Sequence, residues 1–123
     1  VDDAIQLGVT RIGHGVRSIE NEETIKKLKE KNIMLEICPG SNVALGLYPS
    51  LEDHPINFLF KKNIPISIST DDPPFFFTSL SQEYEELNKI FGWGLETFSK
   101  INKRSLEFSF CDAELKEKLI QQL

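Results

Sequence analysis

Apolar residues in this sequence gather into three short β-like runs separated by helix-like stretches, a rhythm that few folds can satisfy. Val9-Thr10-Arg11-Ile12, Ile33-Met34-Leu35-Glu36-Ile37-Cys38 and Ile64-Pro65-Ile66-Ser67-Ile68-Ser69-Thr70 read as strands. Ahead of the first, Ala4, Ile5 and Leu7 are the apolar positions of a helix end that Gly8 closes. Asn21-Glu22-Glu23 opens another helix, with acids at the positive end of its dipole. Ile25 and Leu28 give this helix an inward face, and Lys26, Lys27, Lys29 and Lys31 a solvated one. After the second strand, stopped by Pro39-Gly40, a helix is expected from about Leu51 to Asn63, with Ser50 as its N-cap and Ile56, Leu59 and Phe60 buried. Asp71-Asp72-Pro73-Pro74 turns the chain out of the third strand. Ser79 with Gln82 fits a capping box before a helix carrying Tyr84, Leu87 and Ile90. Gly92-Trp93-Gly94 leads to a further helix with Leu95, Phe98 and Ile101, and a last one begins near Asp112. Alternation of this kind implies an α/β fold with a parallel sheet and crossover helices.

Three strands cannot close a barrel, and a complete eightfold barrel takes about 250 residues. The chain has 123 residues, begins at Val1, and has Met34 as its only methionine. Truncation or processing that removed upstream strands is the expected explanation of both the shortfall and the start.

The polar residues that stand out all fall at the C-terminal ends of strands: His14 after the first, Cys38 to Asn42 after the second, Asp71-Asp72 after the third. In parallel α/β folds this is the edge where loops converge to build sites. His14 lies between two glycines, which let neighbouring groups approach closely; alone, it reads as a histidine hydrogen-bonded at a tight strand end. Asp71 and Asp72 are adjacent carboxylates that should repel. On an extended chain they face opposite ways, so one can ligate a cation while the other binds a substrate. An Asx-type turn before Pro73 explains the pair as well; the companion histidine favours a site. His54, before Pro55, is expected to cap or pack. Cys38 reads either as a catalytic thiol or as a small buried hydrophobe, the commoner state of free cysteine. Phe75-Phe76-Phe77 either walls a pocket or anchors its loop to the core.

The net charge of −5, with no basic stretch beyond a lysine pair, argues against nucleic acid or anionic membrane as a partner. Two cysteines far apart give neither a disulfide framework nor a zinc knuckle, which points to a reducing, cytoplasmic setting. No run is long enough to span a bilayer, and no signal-peptide pattern opens the chain.

Arg11-Ile12-Gly13-His14-Gly15-Val16-Arg17, Leu35-Glu36-Ile37-Cys38-Pro39 and Ser69-Thr70-Asp71-Asp72-Pro73, in this order and spacing, resemble the last three barrel strands of the adenosine deaminase family. The likeness continues through Glu83-Tyr84 and Asn102 and covers residues 1–123 as part of one catalytic domain. It implies the C-terminal part, with the last three strands and terminal helices, of a (β/α)8 TIM barrel of the amidohydrolase type. It implies zinc-dependent hydrolysis of adenosine to inosine and ammonia, with a purine nucleoside or base as the small-molecule partner. By the same resemblance, His14 matches the histidine that handles the metal-held water, Asp71 a zinc ligand, and Asp72 the residue hydrogen-bonding the purine nitrogen on the five-membered ring. The family's His-x-His and His-Ala-Gly-Glu segments, which bring the other zinc ligands and the proton donor, are not in this sequence. The chain by itself is therefore expected to be inactive. Adenine or another purine is the alternative substrate, and a non-enzymatic half-barrel the alternative of another class. A phosphate-binding barrel is disfavoured by the two carboxylates, because such sites need glycine-rich backbone donors.

Overall fold

Parallel pairing of three strands organises the molecule, which a computed structural model describes over residues 1–123. The chain runs through α1 (Asp2–Gln6), β1 (Arg11–Gly13), a 3-10 turn (Val16–Glu20), α2 (Glu22–Glu30), β2 (Met34–Ile37), α3 (Pro39–Ala44) and α4 (Ile56–Lys61). It continues through β3 (Ile66–Ile68), α5 (Pro73–Phe76), α6 (Leu80–Phe91), α7 (Leu95–Glu107) and α8 (Ala113–Ile120). The sheet order is β1-β2-β3, with Ile12 beside Leu35 and Leu35 beside Ile66. Each connection between neighbouring strands carries helix, as parallel pairing requires.

Period-two alternation sorts the strand residues. Leu35, Ile37, Ile66 and Ile68 join Leu28, Ile56, Leu59, Leu87, Trp93 and Ile101 in one buried core. Arg11 and Glu36 instead pair across β1 and β2, and the Arg11 guanidinium lies over the Phe110 ring. That stacking ties the segment before α8 to the sheet. Tyr84 donates to Asn102 Oδ1 at 2.5 Å and joins α6 to α7, whose side chains enclose Trp93. No helix is long and apolar enough to cross a membrane.

The sequence expectations need three corrections. Ser50 does not cap a helix: its hydroxyl bonds Asp53 Oδ2 at 2.8 Å within a turn, and the helix begins only at Ile56. Its first turn is tied instead by His54, whose Nδ1 accepts from the Ile56 N–H at 3.1 Å. Pro39-Gly40 ends β2 but also starts α3, since proline is preorganised for a first helical turn. Pro73 begins the short helix α5 for the same reason, so Asp72 is its N-cap residue and not part of an open turn. The capping box at Ser79 and Gln82 forms as expected, with the Gln82 N–H donating to Ser79 Oγ at 3.3 Å.

Candidate active site

His14 and Cys38 directly follow β1 and β2, Asp71 comes after Ser69 and Thr70 at the end of β3, and their ligand-capable atoms lie within 4.8 Å of one another at the C-terminal edge of the sheet. The three-strand convergence expected from the sequence is thus present in space. His14 Nε2 stands 3.6 Å from Asp71 Oδ2, and both side chains are partly open to solvent. Ser41, fully buried on α3, donates its hydroxyl to that same Oδ2 at 2.8 Å. The carboxylate therefore has one oxygen engaged from the protein side and its other face free.

Backbone geometry at these positions is unusual. His14 has φ 55° and Asp71 φ 61°, both left-handed. Non-glycine residues hold that conformation only where the surroundings over-determine it. The His14 N–H donates to the Glu36 carbonyl at 2.8 Å, and the Ser69 N–H to the Ile37 carbonyl at 2.8 Å, so the ladder is pinned just before each turn-out. The backbone at Asp71 is accordingly not extended, and the argument that strand alternation separates Asp71 from Asp72 does not apply. The two do diverge: Asp71 faces Ser41 and His14, while Asp72 is exposed and makes no side-chain cap bond.

Cys38 is buried, and burial first, then the carboxylates of Asp71 and Glu83, push its thiol up to about 11. It is held as a neutral thiol, which rules against a nucleophile near neutral pH. His54 is 3% exposed, makes an edge contact with Tyr48, and donates from Nε2 to Asn42 Oδ1 over 3.0 Å. Burial lowers its pKa to about 4. Its expected capping and packing roles are both realised.

Sequence reasoning named Asn42 only as part of a loop. In the structure it is buried, with its amide between two histidines: Nδ2 lies 3.3 Å from His14 Nδ1, and Oδ1 faces His54. The glutamate next to Tyr84 is likewise more than a helix residue: Glu83, 5% exposed, accepts from the Gly40 N–H at 3.0 Å and from Thr78 Oγ1 at 2.9 Å. The Phe75 and Phe77 rings do not anchor their loop, being 75% and 91% exposed. A groove passes His14 between Gly13, Gly15, Arg17 and Leu47. The larger cavity lies at the opposite end of β3, among Ile64, Lys100 and Arg104, and holds none of these residues.

A family model described as adenosine deaminase matches residues 1–123. The chain belongs to the adenosine deaminase family. It is 43% identical over its whole length to an adenine deaminase of Agrobacterium fabrum, of which it spans 38%. It is 46% identical over 94% of its length to an adenosine deaminase of Plasmodium vivax, of which it spans 32%. Among solved structures, an adenine deaminase from Arthrobacter aurescens superposes with a TM-score of 0.94 at 27% identity, covering 98% of this chain and 37% of that one. The chain thus spans about a third of the length of these relatives, and its fold is the three-strand, C-terminal part of their (β/α)8 barrel. The relatives that it matches include both adenine deaminases and adenosine deaminases by name.

Proposed function

We propose that this chain supplies one side of the active site of a zinc-dependent deaminase that converts adenosine and water to inosine and ammonia. The observation that supports this most is the meeting of His14 Nε2 and Asp71 Oδ2, from strands β1 and β3, at 3.6 Å on one sheet edge. The donor set fits zinc, which takes carboxylate oxygen alongside imidazole nitrogen. Asp71 is the residue that would hold it, since its carboxylate is open on one side and steadied by Ser41 on the other. Cys38 stands in the same cluster, with burial pushing its thiol up to about 11. Zinc held there would supply Lewis-acid chemistry, lowering the pKa of a bound water to about 7.

His14 is assigned to hydrogen-bond and orient that attacking oxygen beside Asp71. Asp72, exposed one residue further on, hydrogen-bonds the purine ring nitrogen on its five-membered side. Addition of the water oxygen at C6 gives a tetrahedral carbon; cleavage of its C–N bond, with one proton of that water passing to the departing nitrogen and the other to ring N1, releases ammonia and leaves the oxopurine. Turnover is assigned to a protein of the length its relatives have, in a cytoplasmic setting. The 123-residue chain alone is expected to be inactive, because the His-x-His and His-Ala-Gly-Glu segments that bring the family's other zinc ligands and its proton donor are not in this sequence. Adenine is the second reading, favoured by the identity to the Agrobacterium enzyme over the entire chain.

The test is made in the protein at its full natural length. Asp71→Ala should lose zinc on metal analysis, whereas Asp72→Ala should keep zinc and lose turnover of both adenosine and adenine. Identical behaviour of the two variants would sink the division of roles. Faster turnover of adenine than adenosine by the unaltered protein would move the assignment to the base.

A further inference from the structure

The structure carries a chain of hydrogen bonds whose directions are fixed from one end. It starts at the backbone N–H of Ile56, which can only donate, and which meets His54 Nδ1 at 3.1 Å. His54 Nδ1 is therefore unprotonated, and in a neutral imidazole the other nitrogen then carries the hydrogen. Burial keeps His54 neutral at physiological pH. His54 Nε2–H accordingly donates across 3.0 Å to the Asn42 amide. A donor requires an acceptor, so it is the Asn42 oxygen that faces His54; the reversed amide would set two N–H groups against each other. Asn42 Nδ2 is thereby turned toward His14 Nδ1 at 3.3 Å, and Nδ2 has only hydrogens to offer. His14 Nδ1 must accept. The neutral His14 ring then has its hydrogen on Nε2, the nitrogen facing Asp71 Oδ2.

Each link is in a place where its direction matters. Asn42 and His54 are both 3% exposed, and an unmatched donor pair in such a place costs about 1–3 kcal/mol. Asn42 is further held by α3, its N–H donating to the Cys38 carbonyl and its own carbonyl accepting from the Leu47 N–H at 2.9 Å.

We infer that Asn42 and His54 are positioning residues that fix His14 as the Nε2–H tautomer and aim that hydrogen at the Asp71 side of the site. Resting on the deaminase reading above, this makes neutral His14 a hydrogen-bond donor to the attacking oxygen, orienting it, and not the base that removes its proton. The chemical sense is that a donor at this point favours an oxygen already bearing negative charge.

Tautomers of ring-labelled histidine are read directly from long-range proton–nitrogen correlations. In the full-length protein labelled with nitrogen-15 histidine, the signals are assigned by their loss in His14→Gln and His54→Gln. In the unaltered protein above pH 7.5, both rings should show a protonated Nε2 and a bare Nδ1. Asn42→Asp should leave His54 as it is, since a carboxylate also accepts from Nε2–H, but should switch His14 to Nδ1–H. The same variant should lower kcat for deamination about 10–100-fold, the usual range when a group orienting a metal-site residue is lost, with KM changed less than about twofold. Asn42→Ser should keep a donor hydroxyl and fall between the two.

Nδ1–H on His14 in the unaltered protein overturns the inference, whether or not Asn42→Asp folds. So does an unmoved His14 tautomer in a folded Asn42→Asp protein. Because the spectra need no turnover, a protein that deaminates nothing but shows the Nε2–H tautomer removes the functional reading and leaves the relay standing.

Discussion

Residues in left-handed backbone sit at the hinge of this site, and one of them can be tested without touching a polar group. Gly15, directly after His14, has φ 67°, and a Cβ there would meet Leu35 Cδ2 at 2.7 Å. Leu35 is fully buried in the middle strand. Left-handed backbone costs an L-residue about 1–2 kcal/mol, and overpacking a filled core about 1–3 kcal/mol more. Gly15→Ala should therefore lower the stability to urea unfolding by about 2–4 kcal/mol. Gly8→Ala, with nothing within 4 Å of its Cβ position and φ 76°, feels only the backbone part and should lose less. Equal losses in the two variants would mean that Leu35 yields to the new methyl. Asn32 and Asn63 hold similar angles, φ 50° and φ 59°, just after α2 and α4. Asparagine tolerates this at helix ends, and Phe77, φ 49°, ends α5 in the same way; His14 and Asp71 hold such angles at strand ends beside one another.

Between elements, the site depends on one buried carboxylate that crosses from α6 to α3. Glu83 takes up the Gly40 N–H, which at the start of α3 has no helical partner, and so caps that helix from outside. Its removal in Glu83→Ala orphans this donor and leaves Thr78 Oγ1 with only the Ser79 carbonyl, at 3.4 Å. A loss of about 1–3 kcal/mol is expected, with faster amide exchange at Gly40 than in the unaltered protein. Unchanged protection of Gly40 would show that the cap is not needed. This link also separates what the sequence made legible from what it hid. The strands, α2 and the capping box of α6 follow from local periodicity and side chains, and their positions agree with the structure. The convergence of His14 with Asp71 follows too, because strand ends in a parallel sheet must share an edge. The start of α4 does not, since Ser50 is a good local N-cap that loses to Asp53 and to His54 bonding Ile56. Nor do the roles of Asn42 and Glu83, whose partners lie 28 and 43 residues away in sequence. Short-range pattern carries no trace of such pairs.

Across the whole molecule, His54 couples stability to pH. Its folded pKa is lowered to about 4 from an ordinary 6.5, with burial as the cause. The unfolded chain therefore binds a proton that the folded one refuses between those values, so acid favours unfolding. The contribution is complete above about pH 6.5 and is lost as pH falls toward 4. Protonation also removes the acceptor for the Ile56 N–H and with it the first-turn tie of α4, so the loss reaches the core through Ile56 and Leu59. Carboxylates whose pKa values are held low by partners, Asp2 by Thr24 and Lys27, Glu20 by Arg17 and Glu96 by Lys100, lose their contribution at lower pH. The two effects separate in pH. Urea midpoints of the unaltered protein should fall steadily from pH 7 to pH 5, by an amount on the order of a kcal/mol or two. His54→Gln, which keeps a polar group but cannot take up the proton, should start lower and stay nearly level over that range. Parallel decline of the two proteins would place the acid sensitivity elsewhere, and would remove His54 as the group that limits the stability of this fold below neutral pH.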